Sequence, residues 1–446
     1  MLRYYLRLAL KSAARTPGIT ALMVCAIALG IATCIVTLTV YHAMSGNPIW
    51  WKSNVLYAVT MDSWDPNPKD PYDRQHPGLG PVQLTYRDAT SLFRSDIPQQ
   101  KAMMTLLLGM VSGASGQTAP VFAQTRATTS DFFSMFDTPF QYGSGWNAAA
   151  DRGPQPVIVL SKKLNDKLFG GADSVGRTVL WNGHPFRIVG VLRQWSPKPR
   201  FYDMTPGGGG PWGPGEDAYV PFQWGPTLHQ LPGGASDCWG STPVNTYQQY
   251  LTSNCVWIEM WVQLPTAAVR ERFLAYMNAY WAAQHREGRF QRARNNHLWN
   301  VGAWLKVNGA VSNDTRILLR LAFAFLAICL LNTVGILLAK FLRRASITGV
   351  RRALGASRTQ IFLQHLVEVA AISLAGAGLG LGLGAAGLAA VRALYAGSGV
   401  PYGELAHFDP LGIAWALALA AVSTIAAGLY PAWTVGRLPP AVYLKS

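Results

Sequence analysis

ITALMVCAIALGIATCIVTLTV, residues 19–40, is an unbroken apolar run inside a longer stretch, 16–51, that carries no Asp, Glu, Lys or Arg. A helix needs about 20 such residues to cross ~30 Å of hydrocarbon, so the run predicts a membrane span. Three more charge-free stretches follow. Residues 321–339 lie between Arg320 and Lys340, 369–391 between Glu368 and Arg392, and 410–436 between Asp409 and Arg437. The first run is read as a retained span and not as a cleaved leader. It is long, follows a basic lead, and has no small-residue cleavage site before Trp50 and Trp51. The whole-chain composition agrees: 50% of residues are hydrophobic and 13% are charged, against about a quarter charged in ordinary soluble domains.

The net charge of +16 has a membrane cause. Arg3, Arg7, Lys11 and Arg15 precede the first run. Lys340, Arg343, Arg344, Arg351, Arg352 and Arg358 lie between the second and third, and Arg437 and Lys445 follow the fourth. Basic short loops stay cytoplasmic, so both termini and the 340–360 loop are expected inside. The long 45–314 segment and the acidic 396–409 loop are then expected outside. The positive charge thus follows the spans, and no nucleic-acid partner is expected. The resulting fold class is an α-helical membrane protein with four transmembrane helices and a large α+β extracytoplasmic domain inserted between the first and second spans. The expected divisions are a cytoplasmic amphipathic helix (1–16), the first span (17–44), the external domain with its stalks (45–314) and the second span (315–341). A cytoplasmic loop (342–361), the third span (362–395), an external loop (396–409), the fourth span (410–436) and a cytoplasmic tail (437–446) complete the chain.

Local patterns fill in this frame. Leu2, Tyr5, Leu6 and Ala9 share one helical face, with Arg3, Arg7 and Lys11 elsewhere, as in a helix lying in the membrane interface. Gly376, Gly380 and Gly384 recur every four residues in the third run, with Gly378 and Gly382 as a second row. Small residues at that spacing let two helices approach closely. Cys25, Cys34 and Cys329 fall within spans, where small core residues are expected. Cys238 and Cys255 are the only two in the external segment and form the disulfide candidate. In that segment 156–160, 177–180, 185–192, 216–222 and 256–264 read as strands. Asn182-Gly183 marks a hairpin turn. Ser161 N-caps a helix that stops at Gly170-Gly171, and 266–286 shows helical periodicity. The stretches 197–214 and 225–254 read as loops.

Three groups of residues resemble the MacB/FtsX class of ABC-transporter permeases. The first is external: Asp131-Phe132-Phe133 with Phe136 and Gly143, Val159-Leu160-Ser161, then Leu168-Phe169-Gly170-Gly171 through Gly176-Arg177-Thr178, and Asn182-Gly183 to Ile188-Val189-Gly190-Val191. It looks like that family's periplasmic core domain. The second, Gly349-Val350-Arg351-Arg352-Ala353-Leu354-Gly355-Ala356-Ser357-Arg358, is similar to the cytoplasmic loop that docks on the ATPase. The third is the tail, Tyr430-Pro431-Ala432 with Arg437-Leu438-Pro439-Pro440. One departure stands out: the family's usual Glu-Ile-Gly before the double arginine is Ile347-Thr348-Gly349 here. The resemblance implies that Val350, Arg351, Arg352, Ala353, Leu354 and Gly355 couple the chain to an ATPase. It also implies a multi-pass inner-membrane location, a second permease chain as homodimer or heterodimer, and a periplasmic adaptor with an outer-membrane channel as further partners.

Catalytic signatures are missing from the sequence. The nearest approach to a phosphate-cradling G-x-x-x-x-G-K-[ST] loop is Gly171 to Thr178, with Arg177 in place of lysine and a strand, not a helix, after it. No H-E-x-x-H occurs, and Glu404, His407 and Asp409 are a weak three-ligand set on a short loop. The chain is therefore expected to be a transporter subunit without cofactors of its own. ATP and Mg would act through the partner ATPase, whose closure would move the external domain. Efflux of a periplasmic substrate is the leading reading. Lipoprotein release and FtsX-like regulation of cell-wall hydrolases remain alternatives, with a membrane-anchored hydrolase behind them.

Overall fold

A computed structural model of the chain describes residues 2–66, 79–114, 119–205, 207–240, 244–343, 349–351 and 354–395, with scattered helical positions between 414 and 434. It divides into two compact units, Met1–Ser45 with Val311–Ser446, and Gly46–Ala310.

The first unit is helical. The amphipathic helix Leu2–Arg15, expected to lie in the membrane interface, buries Ala9 and Ser12. Pro17 opens the first span, Pro17–Ser45, at the one helical position where its missing N–H costs nothing. The second span, Asn313–Leu342, starts on Ser312, whose hydroxyl accepts from the Thr315 N–H at 3.2 Å. The third, Arg358–Tyr395, starts on a reciprocal cap. There Ser357 Oγ accepts the Gln360 N–H at 3.2 Å, and Gln360 Oε1 accepts the Ser357 N–H at 3.0 Å. All three are long and apolar enough to cross a membrane. The expected fourth span, 410–436, falls mostly outside the described residues.

Packing in this unit centres on the first span. Its Met23, Ile27, Ile31, Cys34 and Ile35 bury against Ala322, Leu326, Leu337 and Phe341 of the second and Val369, Ile372 and Ala377 of the third. Glycine makes the approach possible. A Cβ on Gly376 would stand 2.8 Å from Ile27 Cγ2, one on Gly380 3.0 Å from the Ala28 carbonyl, and one on Gly384 3.2 Å from Ile35 Cγ2. The second row differs, since a Cβ on Gly378 or Gly382 would meet nothing within 4 Å among the described residues.

The second unit is a mixed α/β domain built on one sheet. Its described strands are β1 (Leu56–Thr60), β2 (Leu84–Thr85), β3 (Gln100–Gly113), β4 (Val121–Thr128), β5 (Phe140–Gly143), β6 (Val157–Leu160), β7 (Thr178–Trp181), β8 (His184–Leu192), β9 (Ala218–Pro221), β10 (Val256–Gln263) and β11 (His297–Asn300). The main path runs β11-β1-β10-β3-β4-β9-β6-β8-β5, with β2 on β10 and β7 bridging β3 and β8. Two pairs are parallel, β4 with β9 and β6 with β8. The middle strand β10 reads VWIEMWVQ and is buried along its first seven residues, as a strand covered on both faces must be. The β7–β8 turn has Asn182 at φ 50° and Gly183 at φ 82°, the two left-handed residues that a tight right-twisted hairpin needs. Ser161 accepts from the Leu164 N–H at 3.2 Å to start the helix Lys162–Phe169, and Gly170 closes it at φ 65°. Thr266 likewise caps Ala267–Arg286, whose Phe273 and Met277 enter the core.

Several expectations shift. The strands over 177–180 and 216–222 become Thr178–Trp181 and Ala218–Pro221. Arg177 is taken up in the turn, its N–H bonded to the Ser174 carbonyl at 3.1 Å. The stretch 225–254 is not all loop. It contains the helix Tyr247–Thr252, started by a capping box on Thr246 and Gln249, and Tyr250 from that helix stacks on Trp257 at 5.6 Å between ring centroids. Cys238 and Cys255 are joined by a disulfide. Among the described tryptophans, Trp64, Trp146, Trp181, Trp257, Trp261 and Trp304 are buried, and Trp181, Trp257 and Trp261 are among the largest fully buried side chains.

Candidate coupling site

The described residues 349–351 and 354–357 lead into the third span, which begins at Arg358. The Leu354 N–H donates to the Val350 carbonyl at 3.0 Å, and the Ala356 N–H to the Arg351 carbonyl at 3.1 Å. Gly355 stands at φ 101°, a conformation costly for any side chain, so the turn ends there. Val350 and Leu354 are four residues apart, on one face of the turn. They are 47% and 84% exposed. Arg351 is tied down, donating from Nη1 to Gln364 Oε1 at 2.8 Å. Arg352 and Ala353 lie outside the described residues. The segment thus offers an aliphatic face to water, and covering a leucine is worth ~1.5–3 kcal/mol.

Other candidates give no reacting group. The Gly171–Thr178 stretch is a turn into β7, with Gly176 at φ 85°. Among the described residues no group of three His, Cys, Asp or Glu could hold a metal ion, and Glu404, His407 and Asp409 lie outside them. An open cleft of about 500 Å³ in the second unit is lined by Ser130, Phe133, Ser134, Asp137, Phe140 and Trp146, among others. Ser130 Oγ donates to Asp151 Oδ2 at 2.6 Å, and Asp137 is held by Lys52 at 2.6 Å. No histidine lines the cleft.

The sheet hides a charge network that the sequence did not announce. Arg126 on β4 is fully buried. Its Nη2 meets Asp203 Oδ2 at 2.6 Å, its Nε donates to Glu216 Oε1 at 3.0 Å, and its Nη1 is 3.7 Å from Glu259 Oε2 on β10. Arg200 lies 3.6 Å from Asp203 and 3.5 Å from Glu216. The Tyr202 hydroxyl donates to Glu216 Oε2 at 2.6 Å, and Gln83 Nε2 to Glu259 Oε1 at 2.7 Å. Two guanidiniums face three carboxylates, and the shortfall falls on Glu259. Burial, and then Asp203, push its pKa up to about 8. Burial also raises Glu216, but Arg126 and Arg200 outweigh it and hold the group at about 2. The sequence signal was the charge itself, Arg126 and Glu259 each standing in a run of otherwise uncharged strand residues.

Residues 20–280 match the MacB-like periplasmic core domain, and residues 320–440 match the FtsX-like permease C-terminal domain. The chain belongs to the MacB/FtsX class of ABC-transporter permeases. Among its relatives, a macrolide export ATP-binding/permease protein MacB of Azoarcus sp. (strain BH72) is 27% identical over 355 residues, covering 79% of this chain and 46% of that protein. A pyoverdine export ATP-binding/permease protein PvdT of Pseudomonas savastanoi pv. phaseolicola is 24% identical over 439 residues, covering 96% and 57%. The chain spans about half the length of the curated relatives it matches. The periplasmic region of MacB from Actinobacillus actinomycetemcomitans aligns with 59% of this chain and 96% of its own at 14% identity, with a TM-score of 0.36. In this MacB/FtsX-class permease the first match takes in the first span and most of the sheet unit. The second runs from the second span past the exposed Val350–Leu354 turn.

Proposed function

We propose that this chain is the permease subunit of a MacB-type ABC transporter, converting ATP-driven closure of a separate ATPase subunit into motion of its external domain. Efflux of a substrate already in the periplasm is the leading use. The observation that carries the reading is the Val350–Leu354 face, two aliphatic side chains exposed at 47% and 84% among arginines and lying inside the FtsX-like match. An exposed aliphatic face with basic neighbours suits a groove with acidic rims on a partner. The relatives' names, ATP-binding/permease proteins for macrolide or pyoverdine export, support an ATPase partner and an export role. ATP and Mg would then be handled by that partner. In the same reading both termini are cytoplasmic, the sheet unit is periplasmic, two permease chains pair in the inner membrane, and an adaptor with an outer-membrane channel receives the substrate.

The test is Leu354→Asp, reconstituted with the ATPase in proteoliposomes. Because Leu354 is exposed, the change should spare insertion and folding. Losing a well-buried interface anchor costs about 2 kcal/mol or more, over tenfold in affinity. Permease-stimulated ATP hydrolysis should therefore disappear at ATPase concentrations that saturate the parent chain. Full stimulation by the variant would leave the loop as a topogenic signal only.

A further inference from the structure

Two charges that border apolar runs in the sequence do not face water. Lys340 near the end of the second span and Glu368 in the third are each 4% exposed, and their Nζ and Oε1 atoms are 2.8 Å apart. Glu368 also accepts from the Ser12 hydroxyl of the interfacial helix, itself 8% exposed. His365, one turn before Glu368, packs its ring 4.2 Å from that of Phe341, the neighbour of Lys340. Three helices therefore meet on one carboxylate. Gln364, four residues before Glu368 and on the same helical face, is the residue that holds Arg351 of the coupling turn. Arg351 meets Gln364, and Glu368, one turn further along the same helix, meets Ser12 and Lys340.

Packing alone does not call for this arrangement. Apolar side chains of similar volume join buried helices as well as an ion pair or better, because two charges must first be stripped of water. Ionisable groups inside membrane bundles accordingly mark functional elements. We propose that Glu368 is the junction of a latch through which displacement of the 349–360 turn reaches the interfacial helix as well as the second span. Lys340, Gln364 and Ser12 are its positioning residues. The transmission half of this inference rests on the coupling function proposed above; the latch itself does not.

The test separates the two. Ala9, 4% exposed on the interfacial helix, is changed to cysteine in a Cys25→Ala background. Cys34 and Cys329 are buried and Cys238 is bonded to Cys255, so a maleimide in detergent reads position 9. Ser12→Ala removes only the interfacial helix's bond and keeps the ion pair. A hydrogen bond to a charged group is worth enough to hold a helix closed by about tenfold or more, so labelling should speed up by at least that factor in Ser12→Ala and in Glu368→Gln. Unchanged labelling in both variants overturns the latch. With the ATPase added, Ser12→Ala should bind it normally and stimulate it less. Normal stimulation alongside fast labelling overturns transmission. An ATPase that does not bind even the parent chain overturns the coupling function and transmission with it, while the labelling still decides the latch.

Discussion

Replacing Gly380 and Gly382 by alanine, one at a time, sets two sites on the same helix against each other. A Cβ at Gly380 would stand 3.0 Å from the Ala28 carbonyl oxygen and 3.1 Å from Ile31 Cβ. Ala28 O is backbone in the middle of the first span, so relief requires the two helices to separate or shift along their whole contact. Overpacking of that kind costs ~1–3 kcal/mol. At Gly382 the new methyl meets nothing within 4 Å among the described residues, and alanine is the better helix former by up to about 1 kcal/mol. The two variants should differ by about 1–4 kcal/mol, or ~5-fold or more in the unfolding equilibrium. Gly384→Ala should fall between them, because its nearest neighbour, Ile35 Cγ2 at 3.2 Å, belongs to a side chain that can turn. The assay, in a Cys25→Ala background because Cys25 is exposed, is thermal unfolding in mild detergent followed by a fluorogenic thiol reagent. Cys34 is buried in the first span, with its thiol donating to the Ala322 carbonyl at 3.4 Å, and becomes reactive when the first and second spans part. Equal midpoints for Gly380→Ala and Gly382→Ala would refute the claim that glycine at 380 is required by contact with the first span.

Two further outcomes concern the sheet unit. Folded Glu259 keeps its proton up to about pH 8, whereas an ordinary glutamate loses it near 4.5; the folded state holds the extra proton between those values, so rising pH removes stability there. Glu216, held at about 2, acts oppositely, and the stability it supplies above 4.5 is lost as pH falls toward 2. Tryptophan fluorescence reads this unit, since of the 16 tryptophans only Trp415 and Trp433 lie outside Gly46–Ala310. Its melting midpoint should fall from pH 5 to 8, Glu259→Gln should flatten that fall, and a parent midpoint rising over this range would contradict the assignment. Cys238→Ser opens a ring with a sequence separation of 17. It should loosen the 225–254 segment by roughly 3 kcal/mol, seen as faster protease cleavage there with the sheet's melting unchanged; equal cleavage rates would show that the Tyr250–Trp257 packing holds the segment unaided.

Apolar lengths were enough, from sequence, to anticipate the three described helices long and apolar enough to cross a membrane and the N-terminal amphipathic helix. Crossing hydrocarbon depends on length and composition, and both are written locally. Caps were legible for the same reason: Ser161 and Gly170 act within one helical turn of themselves, whereas the cap at Thr266 was not singled out. Strands β1 to β5 and β11 were not read; a run such as Ala102-Met103-Met104-Thr105-Leu106-Leu107-Leu108 suits a buried strand and a buried helix alike. The sheet order was equally out of reach, since it pairs β1 with β10 and β4 with β9 across long stretches of chain. Charges show the division most clearly. Lys340 and Glu368 read as the ends of apolar runs, and Arg126 and Glu259 as isolated interruptions of strands. Only the tertiary structure set Lys340 against Glu368 and Ser12, and Arg126 against Asp203, Glu216 and Glu259. A buried charge is tolerated only with its partner beside it, and that partner can come from any distance along the chain.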